Sequence, residues 1–347
     1  MKQKYSLDCI SWNITLHCNL KCFHCEFSAG KPSLNELTTE ESLHLCEDLA
    51  KINCKRIILM GGEPFLRKDW YEIAKKIKQL NMEVAFISNG YTVSKKLIDQ
   101  LKSLMPTFVG VSIDGGTAKT HDRIRGVKGS YDRALQFIDL CIHSKIPIIV
   151  ITSVHKLNIK ELPILRDIIY KKDILLWEIQ TTDVEGRFPK KYLLNKEEFY
   201  SVGQFIANAQ KKYSAKKKFV NGAHDMGYNS SFLPDLTGFK KWHGCQAGVS
   251  ILAIESDGGI KGCSALNDRF VEDNIRNRNI KDIWNDPNAF AYNRKFKIEN
   301  LKGYCRVCKY GKSCKGGCIE TSYMLTGDLH CDPYCFYQIE QRYLKNK

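Results

Sequence analysis

No apolar run in this 347-residue chain approaches the eighteen or so residues that a membrane-spanning helix needs. The start, MKQKYSLDC, lacks the apolar segment of a secretory signal. These two absences point to a cytoplasmic protein without a membrane partner. Internal repeats and low-complexity stretches are missing too, which excludes solenoids and arrays. Acidic residues are in deficit, 38 against 53 basic ones, for a formal charge of +15. That balance suits an acidic partner such as an acidic peptide or an anionic small molecule. No aromatic-interleaved basic stripe or nucleic-acid module accompanies it, so nucleic acid is not expected. Much of the lysine, as in residues 211–218, simply solvates helices.

Cysteine, by contrast, is abundant, with fifteen in the chain. A small secreted domain would use such a number for disulfides, but this chain is large enough for one sizeable domain and a smaller one. Metal ligation in a reducing compartment is the better reading. Three of the thiols, Cys18, Cys22 and Cys25, lie in the short stretch HCNLKCFHC with C-x3-C-x2-C spacing. Three thiolates can hold three irons of a 4Fe-4S cube and leave the fourth open for chemistry. A structural zinc knot would close a tetrahedron with a second pair, and none follows within twenty residues.

From residue 8 to about 180, short apolar runs alternate with helical patterns. Strands are expected over 10–16, 56–60, 83–88, 108–113, 148–154 and 175–180. Helices are expected over 40–52, 70–80, 94–105, 131–144 and 162–170, the first opening behind Thr38 and Thr39 with Glu40 and Glu41 in its first turn. Alternation of this kind predicts an α/β fold of parallel βαβ units that close fully or partly into a barrel, with the site at the strands' C-terminal ends. The chemistry-bearing motifs fall at those ends. Gly61-Gly62-Glu63-Pro64 follows the second strand; its glycines admit close approach of a ligand, and its carbonyls and carboxylate can take an ammonium group. Ser88-Asn89-Gly90 ends the third strand, as a ribose contact or as an Asn-Gly turn. Ser112-Ile113-Asp114-Gly115 ends the fourth and leads to HDRIRG, where Arg123 and Arg125 are rivals in offering a planar fork for a carboxylate. Residues 183–240 lose the alternation apart from a helix over 197–213; His224, Asp225 and Tyr228 there either face a substrate or only build a loop.

Eight cysteines follow: Cys245, Cys263, Cys305, Cys308, Cys314, Cys318, Cys331 and Cys335. Two fully thiolate-ligated 4Fe-4S clusters need eight ligands, as do two zinc knots, so the count alone does not decide. The remaining cysteines, Cys9, Cys46, Cys54 and Cys141, read as buried apolar thiols.

Taken together, the three-cysteine loop, GGEP, the SIDG…HDRIRG stretch and the C-terminal cysteine spacing resemble the radical S-adenosylmethionine (SAM) superfamily, in the branch with a C-terminal SPASM extension. The resemblance spans about residues 8–337. It implies a partial (β/α)6 TIM-like barrel over 8–182, a bridging region over 183–240 and a small SPASM domain over 241–347. It implies three 4Fe-4S clusters, one of which binds SAM and cleaves it to a 5′-deoxyadenosyl radical. By the same resemblance, GGEP holds the methionyl amino group, Ser112 and Arg125 the carboxylate, Ser88, Asn89 and Asp114 lie with the cofactor, and His24 lies near the adenine where the family usually has an aromatic residue. Cys305, Cys308, Cys314 and Cys335 are assigned an outer auxiliary cluster, and Cys245, Cys263 and Cys318 an inner one that the spare Cys331 is expected to complete.

The implied activity is modification of a ribosomally made peptide by crosslinking or epimerisation, with a flavodoxin- or ferredoxin-type electron donor. With eight residues before Cys9, no fused leader-binding domain is expected, so a separate leader-recognition protein or the barrel surface would read the peptide. Ser264 after Cys263 departs from the carboxylate of sulfatase-maturing members and puts that activity in doubt. Other readings are a small-molecule enzyme acting on a porphyrin or a sugar, and a non-catalytic iron-sulfur electron carrier or zinc scaffold.

Overall fold

The computed structural model describes residues 5–182, 184–213, 219–238 and 242–345. Its centre is one sheet of ten strands: β1 (Cys9–Thr15), β2 (Arg56–Gly61), β3 (Glu83–Ser88), β4 (Val109–Ser112), β5 (Ile148–Val154), β6 (Leu176–Thr181), β7 (Val220–Gly222), β8 (Ile251–Ile254), β9 (Gly259–Lys261) and β10 (Asp273–Asn274). The order is β10-β9-β8-β1-β2-β3-β4-β5-β6-β7. From β8 to β7 every neighbouring pair is parallel, and β9 and β10 add an antiparallel edge. The end strands β7 and β10 do not pair with each other, so the barrel is open.

Parallel neighbours need crossovers, and helices supply them. They are α1 (Thr39–Lys51), α2 (Trp70–Gln79), α3 (Lys95–Leu104), α4 (Ala118–Arg125), α5 (Ser130–His143), α6 (Leu162–Tyr170) and α7 (Lys196–Lys212). The start expected for α1 forms as a capping box, the Glu41 amide donating to Thr38 Oγ1 at 3.2 Å and the Thr38 amide to Glu41 Oε2 at 2.8 Å. Alternation along the strands sorts their side chains. On β6, Trp177 and Ile179 are buried beneath the helices, while Glu178 and Gln180 alternate to the other, half-exposed face. Ser11, Ile58, Met60, Ile87, Ser112 and Ile151 line the hollow there.

Expected strand limits hold to within one or two residues, the usual spread at element ends. The differences lie where the pattern is short. β7 has three residues and β8 four, too few for a visible alternation, yet they extend the sheet at both sides. β8 belongs to the region expected to be separate, but pairs with β1 from Cys9↔Ile251 to Trp12↔Ile254. The expected boundary at 240/241 and the lysines at 214–218 lie outside the described residues. Helix α4 was not expected, because its eight residues are mostly polar. Gly126 ends it with φ +72°; a Cβ there would stand 2.4 Å from the Lys21 carbonyl oxygen. The glycine lets the helix end lie against the cysteine loop.

The C-terminal region carries α8 (Ile280–Asn285), α9 (Ala291–Arg294), α10 (Gly311–Cys314), α11 (Ile319–Thr326) and α12 (Phe336–Lys345). It is anchored through β8 and through Phe199 of α7, which stacks on Tyr334 and Phe336 at ring distances of 4.9 and 4.8 Å. Cys46, Cys54 and Cys141 are buried as expected, and Cys9 is half-buried. No described helix is long and apolar enough to cross a membrane.

At the centre of the core, the fully buried Phe86 of β3 meets Phe65 at 5.3 Å and Trp70 at 5.5 Å. Phe86→Ala should lower unfolding free energy by about 3–5 kcal/mol, the cost of a large buried cavity. Anaerobic urea titration checks this through a lower midpoint at unchanged slope.

Candidate active site

Between β1 and α1 the chain forms the cysteine loop, pinned from three sides. The Cys18 amide bonds the Gly30 carbonyl at 2.9 Å, and the Lys21 and Phe23 amides bond the Arg125 and Ile124 carbonyls at the end of α4. From β2, the Gly62 amide donates to Thr15 O and the Glu63 amide to His17 O, each at 2.8 Å. A Cβ on Gly61 would sit 2.4 Å from Thr15 O, and one on Gly62 2.4 Å from His17 O. The paired glycines are therefore required by close contact with the loop itself, as well as opening their backbone to the hollow.

That hollow is a cavity of about 370 Å³ at the C-terminal ends of the strands, and Cys18, Cys22 and Cys25 all line it. Each sulfur receives a donor: Leu20 N at 3.5 Å and Asn89 Nδ2 at 3.7 Å on Cys18, Arg125 Nη1 at 3.8 Å on Cys22, Ala29 N at 3.4 Å on Cys25. Burial raises the Cys22 thiol and pushes the Cys18 thiol up to about 11, so a bound cation is what would hold them as thiolates. N–H donors on the sulfurs and an adjoining cavity fit an iron-sulfur cluster with an open face. Among the described residues, no three His, Cys, Asp or Glu side chains converge tightly enough for a single metal ion.

Of the residues expected at the cofactor, Gly61, Gly62, Ser88, Asn89, Ser112, His24 and Arg125 line the cavity. Glu63, Pro64 and Asp114 do not. Pro64 opens a short 3-10 turn. Glu63 is fully buried and staples β2 to β3: Ser88 Oγ and the Asn89 amide, each at 2.9 Å, donate to its two oxygens. Burial lifts its carboxyl to about 7 despite these donors. Asp114 has no exposed surface either; it accepts the Ser153 amide at 3.0 Å and pairs with Arg125 Nη2 at 2.6 Å and His24 Nε2 at 3.3 Å. Burial alone would raise this carboxyl, but Arg125 and His24 hold it well below the usual carboxylate range. Arg123, the rival of Arg125, points to solvent.

Sequence reading missed a second cover on the loop. Arg187 donates to Cys22 O at 3.0 Å and to Ala29 O at 2.9 Å. A Cβ on Gly186, at φ +58°, would stand 2.3 Å from Cys25 O, a signal visible only as a lone glycine. His224 and Asp225 line the cavity, whereas Tyr228 turns away and donates to Asp332 Oδ2 at 2.6 Å.

The eight C-terminal cysteines fall into two neighbourhoods. The thiols of Cys245 and Cys318 are hydrogen-bonded, and Cys263 is close enough for Cys245, after burial, to raise its thiol. Cys305, Cys314 and Cys335 influence one another, and Cys308 lies beside Cys305 and Cys314. Cys331 was expected with the first set, but it adjoins Cys305 and the Cα of Gly303, where a Cβ would meet its sulfur at 2.7 Å. The residue before it, His330, is at φ +59°. Cys263 and Ser264 lie on the cavity wall. Their loop is held to β1 by a buried chain in which Asn13 Nδ2 donates to Glu255 at 2.9 Å, Glu255 pairs with Lys261 at 2.7 Å, and Lys261 bonds the Leu266 carbonyl.

The Radical SAM superfamily model matches residues 12–168, and the SPASM model, an iron-sulfur cluster-binding domain, matches residues 245–309. The chain is a radical SAM protein with a SPASM domain. This radical SAM/SPASM protein is similar to the AdoMet-dependent heme synthase of Methanosarcina barkeri, 28% identical over 95% of this chain and 96% of the relative. It is also similar to the mycofactocin maturase MftC of Mycobacterium tuberculosis, 25% identical over 94% and 82% of the two chains. Among solved structures it superposes on Streptococcus suis SuiB bound to S-adenosylmethionine with TM-score 0.74, at 16% identity over 96% of this chain and 76% of the other, a likeness of fold. The two domains support SAM and iron-sulfur clusters as the cofactors of an enzyme.

Glu63 gives the site a testable pH signature. Between the unfolded value of 4.5 and about 7, unfolding releases the Glu63 proton, so stability falls as pH rises through that window and is level on either side. Relative to Glu63→Gln, the wild-type chain should lose up to about 3 kcal/mol from pH 5 to 7. Parallel urea midpoints for the two chains across this range check it; a constant difference would contradict it.

Proposed function

We propose that this chain is a cytoplasmic peptide maturase that removes a hydrogen atom from a ribosomally made peptide to form a carbon-carbon or thioether crosslink or an epimer. The observation that carries the reading is the charge of the cavity wall. Its carboxylates are Glu26, Glu185, Asp225 and Glu320, while neither of its two arginines is left for a substrate: Arg187 is held by loop carbonyls, and Arg125, paired with Asp114, is committed to the SAM carboxylate. Such a wall disfavours a substrate rich in carboxylates and accepts a neutral or basic peptide segment. The +15 chain as a whole suits an acidic leader outside the cavity.

Three 4Fe-4S clusters are assigned, at Cys18, Cys22 and Cys25, at Cys305, Cys308, Cys314 and Cys335, and at Cys245, Cys263 and Cys318. Bound cluster and SAM supply the 5′-deoxyadenosyl radical. The chain's own work is positioning: carbonyls of Gly61 and Gly62 take the methionyl ammonium, Ser112 and Arg125 its carboxylate, Ser88 and Asn89 the ribose, with His24 beside the adenine. Cys263 on the wall brings an auxiliary site next to the substrate, and this supports a net oxidation with an electron exit. A flavodoxin- or ferredoxin-type donor and a separate leader-recognition protein complete the assembly.

A second reading, decarboxylation of a porphyrin side chain, is favoured by the heme synthase relative, which aligns over nearly the whole of both chains. The acidic wall opposes it. Incubation of the reconstituted enzyme, SAM and dithionite with peptides encoded beside its gene, and separately with Fe-coproporphyrin III, distinguishes the two. Peptide that loses two hydrogens without carbon, or that keeps its mass and gains a D-residue on chiral amino-acid analysis, is expected; carbon dioxide released from the porphyrin, with peptides unchanged in mass and chirality, would overturn the reading.

A further inference from the structure

The loop after β7 presents one carboxylate that is half used. The Ala223 amide pins this loop to Ile179 O at 2.8 Å, and Gly227, at φ +77°, packs against the Phe336 ring, where a Cβ would stand 2.3 Å from the ring edge. Held this way, Asp225 is only 7% exposed. Its Oδ2 accepts the Thr181 amide at 2.7 Å and the Thr181 hydroxyl. Its Oδ1 is buried and has no partner among the described residues, and the residue itself belongs to the cavity wall. A carboxylate in a loop ordinarily spends both oxygens on that loop, because an unpaired buried charge is costly.

Among the described residues the cavity wall offers no spare cation to satisfy it. Arg125 is paired with Asp114 and Cys22, Arg187 with two carbonyls, and His24 with Asp114. His224, the immediate neighbour of Asp225, is exposed at the rim. Glu178, two residues before Gln180 on the same face of β6, adds negative charge; burial and then Asp225 raise its carboxyl, while His224 acts in the opposite sense. A ligand that carries N–H groups and positive charge would supply the missing partner.

We propose that Asp225 is a specificity-determining residue that receives the cationic side chain, lysine or arginine in kind, of the peptide residue brought to the radical site. This rests on the peptide reading above and names its substrate class. Thr181 holds Oδ2, and the substrate ammonium or guanidinium completes Oδ1.

The test uses reconstituted holoenzyme, SAM, dithionite and peptides in a Gly-Ser frame with one central side chain, either deuterated lysine or deuterated norleucine. Deuterium in the 5′-deoxyadenosine is read by mass spectrometry, and Fe-coproporphyrin III deuterated on its propionates is run in parallel. Lysine is expected to transfer about tenfold more deuterium than norleucine, the scale of one charge-assisted hydrogen bond. Asp225→Asn should bring that ratio close to one, and Asp225→Glu should retain part of it. The ratio is internal to each chain, and the wild-type comparison stands even if a variant folds poorly. Equal transfer from lysine and norleucine would overturn the assignment and leave the peptide reading standing. Transfer from the porphyrin alone would overturn both.

Discussion

The pairing of Asp114 with Arg125 is the contact on which the site depends. Asp114 stands at the end of β4, fully buried, and gathers a guanidinium from α4, an imidazole from the cysteine loop and an amide from β5. Its own amide donates to His121 Nδ1 at 3.1 Å, and its carbonyl accepts Asn158 Nδ2 at 2.9 Å. Through Arg125 the network reaches the Cys22 sulfur. A buried ion pair gives little net stability, since desolvation offsets attraction, but breaking it leaves an uncompensated charge. Its value here is registration. It fixes the loop that carries three thiols relative to two strand ends and a helix terminus.

Glu63 plays the matching part on the other side of the cavity. Parallel strands end with their carbonyls and loops facing one way, and nothing in the ladder itself ties one strand end to the next. The Glu63 and Asp114 carboxylates supply those ties, between β2 and β3 and between β4 and β5. Both were expected to touch the cofactor. In this structure both are fully buried and bonded to neighbouring strand ends, while Gly61, Gly62 and Ser112 line the cavity.

Much of this was legible in the residues. Six parallel strands were visible because each carries a β-branched or aliphatic run long enough to show its period. The cysteine loop and GGEP were visible because their chemistry is local. What escaped notice was made by contact at a distance. β8 is four residues whose meaning is its pairing with β1. Arg187 is one arginine among many until its guanidinium is seen on Cys22 O. Asp225 reads either as a substrate contact or as a loop-builder, because its sequence neighbours do not show which oxygen is left over. Cys331 lies beside Cys305, a neighbourhood that counting ligands along the chain does not show.

One measurement bears most directly on a radical site at the three-cysteine loop. Wild-type chain and the Cys18→Ala, Cys22→Ala, Cys25→Ala triple variant are reconstituted anaerobically with iron and sulfide, then given dithionite and SAM. Three cubes require about twelve irons, falling to about eight in the variant. The 5′-deoxyadenosine formed by the wild type should vanish with those four irons. Unchanged iron, or nucleoside that persists without the three thiols, would contradict the assignment.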